Sequence, residues 1–225
     1  MNILGESLFL GREGETALIS SALREGKNLV VTGRFGIGRT TLLRRLAQDL
    51  KPDFRFLFFD GSKTAGRICE ALFLKLFPDR EFILETSRSP WRSSRYDLAH
   101  RKLPDFRPHV LILDDIAKLT RQRLDFIRWL RSQNKFQIIA VTERFLPEPV
   151  LWQLRTALAP APLVPLDALT LTMSEHFFEA WSNWHRLGWR PEEIHGMAVA
   201  THGYPLNMQE VAQTALKRKG DHAAL

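Results

Sequence analysis

"VVTGRFGIGRTT", Val30 to Thr41, sets how the rest of this chain is read. Lys27 to Thr32 is β-branched at its centre and reads as a buried strand. Three glycines follow, Gly33, Gly36 and Gly38, and then Arg39-Thr40-Thr41. Leu42, Leu43, Leu46 and Leu50 recur at helical spacing, so a helix is expected from Arg39 to Leu50. A strand, a glycine-rich turn and a helix in this order gather main-chain N–H groups at one place. Glycines permit the tight curl, and the positive end of the helix adds to the attraction for an anion. Gly33 to Thr40 matches the phosphate-binding pattern G-x-x-x-x-G-K-[ST] everywhere except the lysine, which is Arg39 here. Gly33, Gly36, Ile37, Gly38, Arg39, Thr40 and Thr41 are the candidate nucleotide contacts, and the Thr40 hydroxyl is a candidate magnesium ligand. The alternative is a glycine turn that joins strand to helix and binds nothing.

Further strands and helices alternate on either side of this segment. Glu13 to Arg24 reads as a helix, "FRFLFFD" ending at Asp60 as a second buried strand, and Thr64 to Phe77 as a helix. Pro78 to Pro108 is polar, basic and poor in periodicity, and is expected to be a loop-like insertion. "HVLILDD", ending at Asp115, and "FQIIAVTER", ending at Arg144, are strands, with a helix from Thr120 to Arg131 between them. Val150 to Leu158 is a short helix and "PLVPL" a fifth strand. Strands that are apolar throughout and alternate with helices imply a parallel sheet covered on both faces. After about Asp167 the pattern is helical only. Met173, Phe177, Phe178, Trp181 and Trp184 form an aromatic stripe expected to be the core of a small helical lid. Pro191 suits the first turn of another helix, and a last one runs from Leu206 to Lys219. The expected fold is therefore α/β, with residues 1–166 as a nucleotide-binding domain and 167–225 as a helical lid.

"LILDD", Leu111 to Asp115, places two carboxylates at the end of an apolar strand, the sheet edge where ligands of open parallel sheets bind. Asp114 is a candidate magnesium ligand and Asp115 a candidate for orienting an attacking water. Alone, the pair would equally cap the following loop.

Composition narrows the classes. The chain has 225 residues, 44% of them hydrophobic, enough for one or two cored domains. No apolar run approaches the roughly 20 residues that span a bilayer, and no leader segment is visible at "MNILGESLFLGREGE". Cys69 is the single cysteine and sits in an apolar helical pattern, so it is expected in the core. A reducing, cytoplasmic setting is the expectation. Net charge is +7, which fits a polyanionic partner and equally a solvated basic surface.

The glycine loop and the acidic strand end together resemble the AAA+ and STAND-type P-loop ATPases. "FLGRE", Phe9 to Glu13, is similar to the short box that precedes the glycine loop in the origin-recognition and STAND groups, and implies that Arg12 lies near the adenine. "VTER" occupies the sensor place: Thr142 would be the polar sensor, and Arg144 resembles the arginine that reaches the terminal phosphate. "HGYPL", His202 to Leu206, resembles the turn that opens a lid helix, which brings in Pro205. Arg155 falls where many AAA+ rings carry an arginine finger directed at a neighbour's nucleotide. Read without the resemblance, Thr142 and Arg144 are strand-end residues, Arg155 a solvated helix arginine, and the Gly203-Tyr204-Pro205 segment a plain turn.

The departures from the pattern shape the expected activity. An arginine at position 39 keeps the charge but presents a broad planar fork in place of a compact ammonium. It can pair with phosphate oxygens but fits the transferring phosphoryl group less well, so ATP or ADP with magnesium is expected to bind while hydrolysis is slow or absent. Asp115 stands where most AAA+ motors have glutamate, and the turn opening the last lid helix carries Leu206 and Asn207 rather than an arginine. The chain ends at "KRKGDHAAL", so a lone nucleotide module acting through a partner is expected. One reading is a DNA-associated factor that self-associates through its nucleotide site. "SRSPWRSSRYDLAHRK" supports it with Arg88, Arg92, Arg95, Arg101 and Lys102 interleaved with Trp91 and Tyr96, and Arg121, Arg128 and Arg131 add to the charge. The other reading is a nucleotide-gated protein-interaction switch that ignores DNA.

Overall fold

A computed structural model describes residues 10–80, 88–143 and 146–222. Threonines start three of its helices. Thr64 accepts a hydrogen bond from the Arg67 N–H, Thr120 from Arg123 N–H and Thr170 from Met173 N–H, each satisfying a donor that a first helical turn leaves open. Those caps begin α3 (Ala65–Leu76), α5 (Arg121–Ser132) and α7 (Leu171–His185). The remaining α-helices among the described residues are α1 (Glu13–Arg24), α2 (Arg39–Asp49), α4 (Pro90–His100), α6 (Glu148–Leu158), α8 (Pro191–Thr201) and α9 (Pro205–His222). The strands are β1 (Leu29–Gly33), β2 (Arg55–Asp60), β3 (His109–Asp114), β4 (Phe136–Glu143) and β5 (Leu163–Leu166). They form one five-stranded parallel sheet in the order β2-β3-β4-β1-β5. The expected α/β architecture is present. Among the described residues no helix is long and apolar enough to cross a membrane.

The chain divides into two compact units. One takes the described residues of Leu18–Thr32 and Leu46–Pro165. Here β2 and β3 pair in register from Arg55 opposite His109 to Asp60 opposite Asp114, and β3 pairs with β4 through Leu111 opposite Ile138. The central strands are buried along their length, which is why their sequences run apolar without alternation. Ile68 and Leu72 of α3 and Ile127 and Leu130 of α5 share one core with Leu111 and Leu113 of β3.

This unit corrects the expected loop between Pro78 and Pro108. Pro90–His100 is a helix, α4, with Pro90 at its start. It buries only Ser94 and Leu98, a stripe too narrow to show as helical periodicity in the sequence. Lys135 fixes its end: Nζ donates to the carbonyls of Leu98, Ala99 and Arg101 at 2.8, 2.6 and 2.8 Å.

The other unit takes the described residues of Met1–Ala17, Gly33–Arg45 and Leu166–Leu225. Its core is Phe178, Trp181, Leu187, Ile194, Ala198 and Met208, contributed by α7, α8, α9 and the turn after α7. The aromatic stripe of α7 is core only in part. Phe178 and Trp181 are buried, whereas Trp184 is 59% exposed. At about 100° per residue, the buried line through Ser174, Phe178 and Trp181 leaves Trp184 well to one side.

Candidate functional site

The glycine loop runs from Gly33, the last residue of β1, to Arg39, the first residue of α2. Gly36 has φ +78°, a left-handed conformation that side chains disfavour, and a Cβ there would meet the Leu206 side chain at 2.9 Å. The Ile37 N–H donates to the Arg34 carbonyl at 3.3 Å, closing the turn, and Leu42 N–H donates to the Gly38 carbonyl at 2.9 Å in the first turn of α2. Ile37 is buried and pins the loop, Thr40 is half-buried and Thr41 exposed.

Arg12 lies beneath this loop and is 6% exposed. Its Nη2 donates to the Ile37 carbonyl at 3.2 Å and to the Asp167 carbonyl at 2.7 Å, while Nη1 pairs with Glu15 at 2.7 Å. The turn opening α9 meets the loop as well. Pro205 is the first residue of that helix, Leu206 N–H donates to the Gly36 carbonyl at 3.2 Å, and Arg34 Nη1 donates to the Tyr204 hydroxyl at 3.3 Å. Gly203, at φ +69°, is bound to the segment before α7: Leu169 N–H donates to its carbonyl at 2.9 Å, and a Cβ would overlap the Leu169 carbonyl.

The acidic strand end belongs to the other unit. Asp114 closes β3, and its carbonyl accepts the Gly61 N–H. A Cβ at Gly61 would come within 2.7 Å of that carbonyl, so the β2 end approaches β3 through a residue with no side chain. Asp115 is exposed and has φ +61°. A non-glycine residue in the left-handed region costs on the order of 1 kcal/mol or more, and such strain recurs at functional sites. Ile116 N–H returns to the Val141 carbonyl at 2.9 Å and ties the loop to β4. Arg123 holds it from the other side. Nearly buried, it donates to the carbonyls of Ser62 at 3.0 Å, Lys63 at 2.9 Å and Lys118, and burial holds its guanidinium pKa below the ordinary range. The sequence does contain a signal for this residue: Arg123, Ile127 and Leu130 share a helical face, so a cation stands in an apolar stripe. Thr142 is fully buried in β4, its hydroxyl donating to the Glu143 carbonyl at 3.2 Å. Arg144 lies outside the described residues. Arg155 is exposed on α6, with Nε donating to the Ala161 carbonyl at 3.4 Å.

The five cations of the basic insertion divide into two groups. Arg88, Arg92 and Lys102 are exposed. Arg95 lies over the Trp129 ring at 4.5 Å and the Trp91 ring at 5.5 Å from the centroids, and Arg101 pairs with Asp97 at 2.9 Å. Tyr96, 65% exposed, stacks on His100 with centroids 4.1 Å apart. Among the described residues no group of three or more His, Cys, Asp or Glu side chains could hold a metal by itself. A magnesium ion bound by one or two protein oxygens and otherwise by phosphate and water needs no such group.

Solved structures with this fold include the Cdc6p protein of Pyrobaculum aerophilum, at 15% identity with a TM-score of 0.71, covering 99% of this chain and 67% of its own. The Aeropyrum pernix Orc1 protein in complex with DNA matches at 12% identity and TM-score 0.67, over 97% of this chain and 63% of its own. AMPPCP-bound DnaA from Aquifex aeolicus matches at 15% and 0.61, over 96% and 65%. The chain thus spans about two thirds of the length of each of these three structures. No curated protein matches it in sequence. The AAA domain family model matches residues 23–148, a stretch holding the glycine loop, the acidic strand end and β4. That match takes in more than half of the chain, which therefore belongs to the AAA domain family and has the fold of an AAA+ P-loop ATPase.

Proposed function

We propose that this chain binds ATP or ADP with magnesium, hydrolyses ATP slowly or not at all, and acts as a nucleotide-dependent, DNA-associated assembly factor. The observation that carries the proposal is the glycine loop itself. Its backbone is curled through left-handed glycines and followed at once by a helix N-terminus, with Arg39 in the lysine position. Gly33, Gly36, Ile37, Gly38 and Thr41 supply the loop and helix amides, and Pro205 opens the lid helix that touches the loop. A bound magnesium would neutralise charge on the outer phosphates, and Thr40 and Asp114 are the residues the two motifs offer to it. Asp115 would orient the water, Thr142 and Arg144 would sense the terminal phosphate, and an exposed Arg155 is free of the core to reach a second copy. DnaA with AMPPCP and Orc1 with DNA lend support as proteins of the same fold.

Calorimetric titration of ATP and ADP with and without magnesium tests the binding half; failure to retain either nucleotide overturns it. Turnover of labelled ATP by the wild type and by Arg39→Lys tests the rest. Poor fit of the planar fork to the transition state costs about 2–4 kcal/mol, so Arg39→Lys should raise turnover about 30- to 900-fold. Brisk wild-type hydrolysis overturns the slow-enzyme reading.

A second reading is a nucleotide-gated protein-interaction switch without DNA. What favours it is the engagement of Arg95 and Arg101 within the fold, which leaves fewer cations for phosphates. A gel-shift titration with and without ATP at two salt concentrations separates the readings, because a DNA complex made through phosphates weakens steeply with salt.

A further inference from the structure

Arg12 is one corner of a closed circuit of hydrogen bonds. From Arg12 the first branch goes to the Ile37 carbonyl in the glycine loop, and the second to the Asp167 carbonyl just after β5. Two residues on, Leu169 N–H is bonded to the Gly203 carbonyl, and three residues beyond Gly203 the Leu206 N–H is bonded to Gly36, next to Ile37. Every member lies in the same compact unit.

We infer that Arg12 is a positioning residue: it holds the glycine loop in its anion-binding shape and links that loop to the turn that opens α9. The inference rests on the nucleotide-binding reading above for its functional consequence, but not for its structural content. A guanidinium has five donors. Both Nη2 hydrogens go to main-chain carbonyls, 25 and 155 residues away along the chain, and Nη1 goes to Glu15. An adenine could take Nη2 only by displacing a carbonyl, leaving a polar group without its partner beside a side chain that is 6% exposed. Glu15 completes the device by fixing the plane of the fork, so that one cation orders two separate stretches of backbone. A nucleotide that moves the loop would then be felt at Leu206 and at Leu169 through the same circuit.

The experiment compares the full chain with Arg12→Lys, which keeps the charge but replaces the fork with a single ammonium. Arg12→Met, of similar length and uncharged, is the second variant. Hydrogen–deuterium exchange is measured without nucleotide. The Leu206, Leu169 and Leu42 amides should exchange about tenfold faster or more in both variants, while Ile138 in the sheet stays protected. ATP affinity should fall by a similar factor, and affinity for inorganic tripolyphosphate should fall with it. Unchanged exchange at those amides overturns the inference, as does a loss of affinity confined to ATP, which would mark Arg12 as a base contact. If the wild type binds no nucleotide, the proposed function fails while the exchange result still decides the role of Arg12. General loss of protection, Ile138 included, would show Arg12 to be a fold-stabilising residue and would also overturn it.

Discussion

At the scale of single residues, polar groups placed inside the core have consequences that can be measured. His109 begins β3 and is almost fully buried, with no partner for its Nε2. Burial, with the Arg55 charge assisting, holds its pKa below the ordinary 6.5, against the weaker pull of Asp105. The neighbouring Arg107 has one effect of each sign, its backbone raising the value and its charge lowering it. Above pH 6.5 the imidazole is neutral in both folded and unfolded chains. As pH falls below that, the unfolded chain takes up the proton first, so stability declines toward the depressed folded pKa. Urea unfolding at pH 7.5, 6.5 and 5.5 should show this slope, and His109→Leu should flatten it. Cys69 is inert for a related reason. Burial pushes its thiol up to about 12, as befits the core position that its apolar helical pattern implies. Arg12 shows what a sequence conceals at this scale. Its Nη2 bonds two carbonyls 25 and 155 residues along the chain, and no spacing rule announces a carbonyl.

At the scale of elements, α4 and α7 are informative because the sequence reads them incompletely. Helix α4 has little apolar face, so its place depends on α3 and on the Lys135 ammonium that gathers three carbonyls at its end. Lys135→Met should therefore cost about 2 kcal/mol, the worth of hydrogen bonds from a charged donor, and should raise amide exchange within α4 more than within α3. Equal exchange in the two helices would refute this role. On α7 the aromatic residues look alike in sequence but not in place. Trp181→Ala should destabilise by about 3–5 kcal/mol through an unfilled cavity, whereas Trp184→Ser should change stability by about 0.5 kcal/mol or less. Thermal unfolding of the two variants gives the comparison. The helix starts at Thr64 and Thr120 and the apolar strands, by contrast, were legible, because each depends on neighbours in sequence.

At the scale of the whole molecule, the predictions concern association. If the exposed Arg155 acts on a second copy, size-exclusion chromatography should show a larger species with ATP than with ADP or no nucleotide. Arg155→Ala should abolish that difference without lowering the melting temperature. A persistent ATP-dependent shift in the variant would remove Arg155 from the interface. What the sequence determined alone was the parallel α/β order, the glycine loop with its arginine, and the acidic end of β3. These follow from local steric rules and from apolar periodicity, which a linear string carries in full. Tertiary structure alone decided that the insertion contains α4, that Trp184 faces outward, and that Arg95 lies over Trp129. It also placed Arg12 under the glycine loop. Each of those depends on groups distant in the chain competing for the same buried surface or the same hydrogen bond, and that competition is settled only when the chain is folded.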